Sequence, residues 1–325
     1  MATLTRDTCR HRGVSAADEG ESVQAFVHPS LVTQSWYVAA RSNEVRAGRV
    51  KSFDLLRRRI AVFRDAAGQV HAMDAHCPHL GADLANGTVT AEGVRCAFHG
   101  WVVGANGVCR MAGRPSDSLR HTRVYPALER WGLIWIFNGP QPLFDLPGPP
   151  AGKKLKAWRL PPQHINCHPH LVIANGLDIS HYESLHRMRF TAPPRLEITS
   201  EHSITLNLRF RPESRWQQLL SGTRRREVAA AFTTIGSSLA WASVTEPLRF
   251  DMLFAGRPAR GGGCETRTIL FYRARRDLVR ALTLMYALLY DDRHILDGVQ
   301  FTPHFTASDA PLKAFADLVN SLGTR

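Results

Sequence analysis

The sequence predicts an α+β protein in which an N-terminal all-β domain precedes a second domain built from an antiparallel sheet and helices. Three observations lead to this prediction. The first part of the chain has short apolar runs broken by glycine and asparagine, the last part alternates strand-like and helix-like segments, and a proline-rich stretch separates them. With 325 residues and 44% apolar content, each domain has enough residues for its own core.

The N-terminal part divides into an extension and a β domain. Residues 1–33 have weak periodicity, which predicts a loose N-terminal extension. Residues 34–140 contain four strand-like apolar runs, at 60–63, 70–73, 94–96 and 133–137. The pair Asn106-Gly107 favours a hairpin turn within this domain.

A proline-rich segment marks the predicted domain boundary. Seven prolines lie between residues 140 and 162, so residues 141–163 are predicted to be a stiff, non-helical linker. The second domain is then expected over residues 164–325, where periodicity predicts helices at 171–186, 277–290 and 311–322. Strands are expected within 195–275, from the alternation of Ile204, Leu206, Leu208 and Phe210 and from the run 267–272, with a turn at residues 261–263.

Charge and cysteine content restrict the possible functions. The net charge is +13, but the arginines are scattered without the aromatic-interleaved stripe typical of nucleic-acid binding, so no nucleic-acid partner is predicted. The six cysteines have no disulfide-framework spacing, and residues 1–30 lack an apolar leader, which favours a cytoplasmic protein. The longest apolar stretch, at 281–290, is too short to span a membrane.

The most informative motif is a pair of Cys-His segments. Cys77-Pro-His79 is followed, after sixteen residues, by Cys96-Ala-Phe-His99-Gly-Trp101. Two thiolates and two imidazoles suit a [2Fe–2S] cluster with cysteine on one iron and histidine on the other. A zinc site is the alternative, but zinc motifs usually pair Cys with Cys and His with His. Six arginines flank these segments and could dock an acidic electron donor or remain solvated: Arg57, Arg58, Arg59, Arg95, Arg110 and Arg114.

A second metal-binding set is expected downstream. An Fe(II) ion that activates O2 needs two histidines and one carboxylate on one face, which leaves its other positions open. His181 and His186 are the candidate imidazoles, and their five-residue spacing requires the helix to loosen or end between them. Asp292, expected just after the helix at 277–290, is the candidate carboxylate, with Asp291 and then Asp297 as alternatives.

The two motifs together carry a family resemblance. Cys77, His79, Cys96 and His99 form the Rieske motif, and the sequence resembles the Rieske family over roughly residues 35–140. The pattern Asn175-x-x-Asp178-x-x-His181-x4-His186 resembles that of Rieske non-haem iron oxygenases, and the late aspartate extends the resemblance over nearly the whole chain. Ala174 departs from many members, which have glutamate there.

The resemblance implies a fold, an assembly and an electron path. It implies a helix-grip catalytic domain after the Rieske domain, and a homotrimer of oxygenase subunits. It also implies that Asp178 bridges a cluster histidine, His79 or His99, of one subunit to an iron-ligating histidine of its neighbour. The chain has neither a nicotinamide-binding motif nor a plant-type ferredoxin motif, so electrons from NAD(P)H are expected through a separate ferredoxin or flavin reductase.

The predicted function is hydroxylation or demethylation of a small organic molecule with O2. A segment around Cys77, together with Gly107-Val-Cys109, resembles the branch of sterol desaturases and ketosteroid hydroxylases, which favours a lipophilic polycyclic or natural-product substrate. Two alternatives remain open. The chain could be a dioxygenase or demethylase of small aromatics, or a Rieske electron carrier with a second domain that lacks catalysis.

Overall fold

The computed structural model describes residues 25–26, 32–111, 120–149, 154–221, 227–246, 249–302 and 304–323. Within these residues the α+β class is confirmed. Two units share the chain, one of short strands and one of long strands with helices. Most of the predicted N-terminal extension, and Arg114 of the arginine cluster, lie outside the described residues.

In the described part of the N-terminal domain, the strands form three small antiparallel sheets. The predicted runs at 60–63, 70–73, 94–96 and 133–137 all fall on or beside observed strands, and the predicted hairpin joins β7 (Val102–Val103) to β8 (Val108–Arg110). Gly107 makes that turn with a φ of 81°, which is why glycine is needed there. In the first sheet the strands lie in the order β1 (Trp36–Arg41), β12 (Leu133–Phe137) and β11 (Ala127–Arg130). In the second sheet the order is β10 (Val124–Tyr125), β4 (Val70–Asp74), β3 (Arg58–Arg64) and β2 (Val50–Leu55). In the third sheet the order is β5 (Thr88–Thr90), β6 (Gly93–Arg95), β7, β8 and β9 (Arg120–His121).

One long antiparallel sheet dominates the second domain. Its strands are β13 (Lys156–Arg159), β14 (Gln163–Ile165), β15 (Met188–Ser200), β16 (Ser203–Pro212), β17 (Val228–Ile235), β18 (Leu239–Glu246), β19 (Phe250–Pro258) and β20 (Cys264–Tyr272). They are ordered β13-β20-β19-β18-β17-β16-β15, with β14 also paired to β20. The alternation expected from residue 204 to residue 210 is confirmed, since all four apolar side chains are buried. The glycines at 261–263 connect β19 to β20 as predicted.

Five helices accompany this sheet in the described residues: α1 (Pro169–Ala174), α2 (Ile179–Ser184), α3 (Arg215–Ser221), α4 (Arg275–Leu296) and α5 (Ala310–Ser321). Helices α4 and α5 confirm the helices predicted at 277–290 and 311–322. The single helix expected over 171–186 is wrong, because a 3-10 turn at Asn175–Leu177 and the extended Asp178 interrupt it. None of these helices combines the length and apolarity that crossing a membrane requires.

Two segments that were expected to be peripheral are part of the fold. β13 lies inside the predicted linker and pairs with β20 from Lys156 to Arg159, so the linker ends earlier than expected. In the predicted loose extension, Ala25 and Phe26 are buried. The Phe26 ring lies 5.7 Å from that of Phe315 on α5, which attaches this part of the extension to the core of the second domain.

The two domains share an apolar interface on one face of the long sheet. Trp36, Trp135 and Phe137 of the N-terminal domain pack in one cluster with Ile269 and Phe271 of β20. Side chains on the opposite face of β19 and β20, such as Met252 and Leu270, pack against α4. Because successive residues of a strand point to opposite faces, one sheet separates the domain interface from the space beneath α4.

Candidate metal centres

Two loops of the N-terminal domain, residues 77–82 and 96–101, have the same backbone geometry and are called the cluster loops below. In the first loop, the Cys77 N–H donates to the carbonyl of Ala82, the last residue of the loop (2.9 Å), and the Gly81 N–H donates to the Cys77 carbonyl (2.8 Å). The second loop repeats both bonds at 2.8 and 3.0 Å. The glycine in each loop has positive φ, 80° and 72°, a conformation that costs glycine little. The repetition places one cysteine at the start of each loop, with a histidine two residues later in the first loop and three residues later in the second.

The four predicted donors converge between these loops. Cys77 and Cys96 are buried in the same apolar cluster, and the rings of His79 and His99 are 4.7 Å apart between centroids. Trp101 stacks on His79 at 4.4 Å with only 10° between the ring planes. His79 is half-buried and His99 is exposed, so the imidazoles lie at the rim and the thiols beneath.

The unsatisfied polar atoms here fit a bound group. The Nδ1 atom of His79 and the Nε1 atom of Trp101 are buried without a hydrogen-bond partner in the described residues. Burial and then the neighbouring His99 lower the pKa of His79, which favours the neutral imidazole that a metal binds. Two thiols below and two imidazoles at the rim are the donor set of a [2Fe–2S] cluster with mixed ligands.

In the second domain, α2 brings two histidines to one side. Asp178 caps this helix, accepting hydrogen bonds from the backbone N–H groups of Ser180 (2.9 Å) and His181 (3.4 Å). The helix ends at Ser184, and the N–H of His186 donates to the His181 carbonyl (3.3 Å), five residues back. This widened turn brings the two histidine rings to 5.0 Å between centroids, as the five-residue spacing required.

Asp292 supplies the carboxylate. Its Oδ1 atom lies 2.9 Å from Nε2 of His186 and 4.0 Å from Nε2 of His181. One donor atom from each of the three residues lies within 4.8 Å of the others, close enough to hold one metal ion. The expectation that Asp292 follows the helix is wrong, because α4 continues to Leu296 and Asp292 lies within it. Of the two alternatives, Asp291 is not among these grouped donors, and Asp297 accepts a hydrogen bond from the Asn166 N–H (2.7 Å).

A backbone contact orients one of the histidines. Nδ1 of His181 lies 2.5 Å from the carbonyl oxygen of Asp178, so Nδ1–H is the donor and Nε2 is left free for a metal. Burial lowers the pKa of His181 although Asp292 opposes this effect, so the ring is kept neutral. Two imidazoles and one carboxylate on one side suit Fe(II) with positions left open for other ligands.

A cavity of about 180 Å³ opens beside these three residues. Apolar side chains of β16–β20 and α4 form most of its wall, and they include Leu208, Phe210, Phe232, Met252, Phe254, Leu284, Met285 and Leu288. Gln163, Ser243, Thr266 and Thr268 add polar groups along one side. Sequence reasoning missed these residues, because an apolar residue facing a cavity has the same pattern as one facing the core.

Two other histidines near this site, and part of the arginine cluster, have structural roles. Nδ1 of His168 accepts a hydrogen bond from the His170 N–H (3.1 Å) at the start of α1, and His170 is buried. In the arginine cluster, Arg59 pairs with Asp83 at 2.6 Å and with Asp54 at 3.1 Å. Arg58 pairs with Asp74 at 3.6 Å. These ion pairs neutralise part of the positive charge that the arginine cluster would need to dock an acidic electron donor.

Comparison with known proteins gives matches to the first domain and to the fold. Residues 35–126 match the family profile of the Rieske [2Fe-2S] domain. The 4beta-methylsterol monooxygenase of Methylococcus capsulatus is 33% identical over 163 residues, which are 47% of this chain and 44% of that protein. The 5,5'-dehydrodivanillate O-demethylase oxygenase subunit of a Sphingobium species is 30% identical over 166 residues, 48% of this chain and 39% of that protein. The chain therefore spans less than half the length of these relatives.

The match to solved structures extends over both domains. The crystal structure of dicamba monooxygenase bound to dicamba superimposes with a TM-score of 0.62 and 18% identity. The match covers 89% of this chain and 98% of that one. The likeness establishes a common fold, including the long sheet and its helices.

Proposed function

We propose that this chain, which carries a Rieske [2Fe–2S] domain joined to a second domain with the fold of dicamba monooxygenase, is the oxygenase subunit of a Rieske non-haem iron enzyme. It would hydroxylate or demethylate an organic molecule, using O2 and electrons from a separate reductase. The observation that carries the proposal is the group His181, His186 and Asp292, within 4.8 Å of one another beside an apolar cavity.

The two centres have different tasks in this proposal. Cys77, His79, Cys96 and His99 would hold the cluster, and His181, His186 and Asp292 would hold the iron. When bound, the cluster supplies single electrons and the iron supplies activation of O2. The chain's own residues hold the substrate in a largely dry cavity, favour the neutral imidazole of His181 through burial and orient that ring through the Asp178 carbonyl.

We infer a homotrimer in which Asp178 links the two kinds of centre between subunits. The half-buried Asp178 carboxylate would contact His79 or His99 of the partner subunit. The exposed rim of the cluster loops supports this contact, because Leu80 and Phe98 beside the histidines are 65% and 63% exposed. Large apolar side chains at such a rim are typical of a surface that another protein covers.

Electrons are proposed to reach the cluster from NAD(P)H through a ferredoxin or a flavin reductase, in the cytoplasm. Arg95 and Arg110, exposed and close in sequence to the cluster loops, would favour an acidic donor protein. The five described cysteines are all free thiols, which is consistent with a reducing compartment.

The cavity favours a neutral, lipophilic substrate. Arg293 is the one arginine or lysine among the described cavity residues, and its side chain is exposed. A substrate carboxylate would therefore be buried without a cationic partner and close to Asp292, which costs several kcal/mol. A neutral oxygen could instead hydrogen-bond with Thr266, Thr268 or Gln163 on the polar side of the cavity. This favours a sterol-like or natural-product substrate over an aromatic acid, and it leaves neutral compounds within the small-aromatic alternative.

Oxygen labelling tests both the reaction and the charge preference. Sterol-like compounds and methoxy aromatics, each offered as carboxylic acid and as methyl ester, are incubated with the protein, a surrogate reductase and ¹⁸O2. We expect ¹⁸O in product, or formaldehyde from the methoxy compounds, with the esters. We also expect binding of the esters to be at least about 10-fold tighter than that of the acids. Preference for the acids would contradict the neutral-substrate assignment, and cluster reduction without product from any compound would favour the electron-carrier alternative.

A further inference from the structure

The two histidines of the proposed iron site are held in different ways. The Asp178 carbonyl orients the ring of His181 through Nδ1. Nδ1 of His186 is buried and has no hydrogen-bond partner among the residues that the structure describes. The position of the His186 ring therefore depends on the backbone that carries it.

The backbone at His186 has an unusual conformation. Residues 185–187, called the ligand turn below, connect α2 to β15. Arg187 has a φ of 52°, in the left-handed region that residues other than glycine seldom adopt. The bond from the His186 N–H to the His181 carbonyl is long, at 3.3 Å. A turn of this kind keeps one conformation only when contacts from the surrounding structure hold it.

The segment that leads into α3 supplies two of these contacts. Directly after β16, the Glu213 N–H donates a hydrogen bond to the Arg187 carbonyl (3.0 Å). Within α3, Nε2 of the Gln217 side chain donates to the His186 carbonyl (3.0 Å). The first bond uses a backbone group that every residue except proline has, whereas the second depends on the glutamine side chain. The hold on His186 itself is therefore specific to the residue at position 217.

We infer that Gln217 is a positioning residue for the iron ligand His186 and that it fixes the ligand turn before the metal binds. A ligand already in its binding position loses less conformational freedom on binding, so the affinity for the metal is higher. Residues that orient a metal ligand typically contribute 10- to 100-fold to that affinity. Gln217 acts on the backbone of His186 rather than on its ring, so we expect the lower end of this range. The inference rests on the iron site of the proposed function and is independent of the substrate.

A pair of matched variants on α3 tests this role. Gln217→Met removes the donor and keeps an unbranched side chain of similar size. Gln218→Met is the control, because Nε2 of Gln218, the next residue of the helix, donates instead to the carbonyl of Pro212 (2.8 Å). Each variant therefore loses one side-chain hydrogen bond from the same helix to a backbone carbonyl, but only one of these carbonyls belongs to a proposed ligand.

The affinity for Fe(II) is measured by anaerobic titration calorimetry without substrate. The protein is the full chain with its cluster retained and its other iron removed. We expect the Kd for Fe(II) to rise about tenfold in Gln217→Met and to stay at the wild-type value in Gln218→Met. Thermal stability should be similar in the two variants. A merely structural role of Gln217 would lower its thermal stability without this difference in Fe(II) affinity.

The outcomes separate this inference from the proposed function. An unchanged Kd in Gln217→Met, or an equal rise in both variants, would overturn the role of Gln217 and leave the iron site standing. A wild-type protein that binds no Fe(II) beyond its cluster would overturn both. If Gln217→Met does not fold, Gln217→Ala is titrated in its place, because alanine has the highest helix propensity. The same tenfold rise is then expected, and a wild-type Kd would contradict the inference.

Discussion

Replacing His181 with alanine eliminates product formation and leaves the visible spectrum of the cluster unchanged. The variant removes one of two imidazoles whose Nε2 atoms lie within 4.0 Å of the Asp292 carboxylate. Loss of a residue that only supports a metal ligand costs about 10- to 100-fold, so loss of a ligand should lower turnover by more than 100-fold. The cluster loops belong to another domain and contain no part of this site.

Product formation with ¹⁸O2 and the absorption spectrum are measured on the same preparation. His294→Ala is the matched control, because His294 lies on α4 close to Asp292 but its side chain is exposed. It should turn over at close to the wild-type rate. Wild-type turnover in His181→Ala would remove this histidine from the iron site, and loss of the cluster spectrum would mean that the two domains are not independent in folding.

Replacing Asp178 with asparagine keeps both metals but stalls electron transfer between subunits. Asparagine caps helices as well as aspartate does, so the bonds to the Ser180 and His181 N–H groups are retained. The His181 ring stays oriented because it contacts the backbone carbonyl of residue 178 rather than its side chain. The change therefore removes the negative charge proposed to face a histidine of the partner subunit.

Stopped-flow reoxidation of the pre-reduced cluster, in the presence of substrate and O2, measures this step. We expect reoxidation and product formation to slow together by about 10- to 100-fold, with unchanged iron content and unchanged thermal stability. Glu183→Gln, which neutralises an exposed carboxylate on the same helix, should reoxidise at the wild-type rate. Wild-type kinetics in Asp178→Asn would eliminate the proposed bridge without affecting the assignment of the iron ligands.

The sequence could single out the proposed cluster donors because each pair is local in the chain. Cys77 with His79, and Cys96 with His99, lie on single loops whose glycines reveal the turn. The spacing of the later histidines also carried information, since two ligands five residues apart cannot lie on one face of a regular helix. The arrangement of proposed ligands can therefore be predicted from the sequence where the ligands and the turn that holds them are close together in the chain.

What depends on distant contacts was not predictable. Helix α4 continues past Asp292 because its last turn is capped by the Asp297 N–H bonding to the Arg293 carbonyl (2.9 Å), and the motif itself gives no sign of this. Strand β13 forms within a proline-rich stretch because β20 offers an unpaired edge. Phe26 joins the core because three phenylalanines from the end of the chain surround it. For β13 and Phe26 the deciding partner is more than 100 residues away in the sequence, whereas the bond that ends α4 joins residues only four apart.

Iron and acid-labile sulfide per chain test the central claim, that one chain holds both a cluster and a separate iron. The protein is purified anaerobically, supplied with Fe(II) and freed of loosely bound metal. We expect about three irons and two sulfides per chain, since the cluster accounts for two irons and the second site for one. In His181→Ala, iron should fall to about two with sulfide unchanged. Zinc in place of iron and sulfide, or two irons in both wild type and variant, would contradict the account.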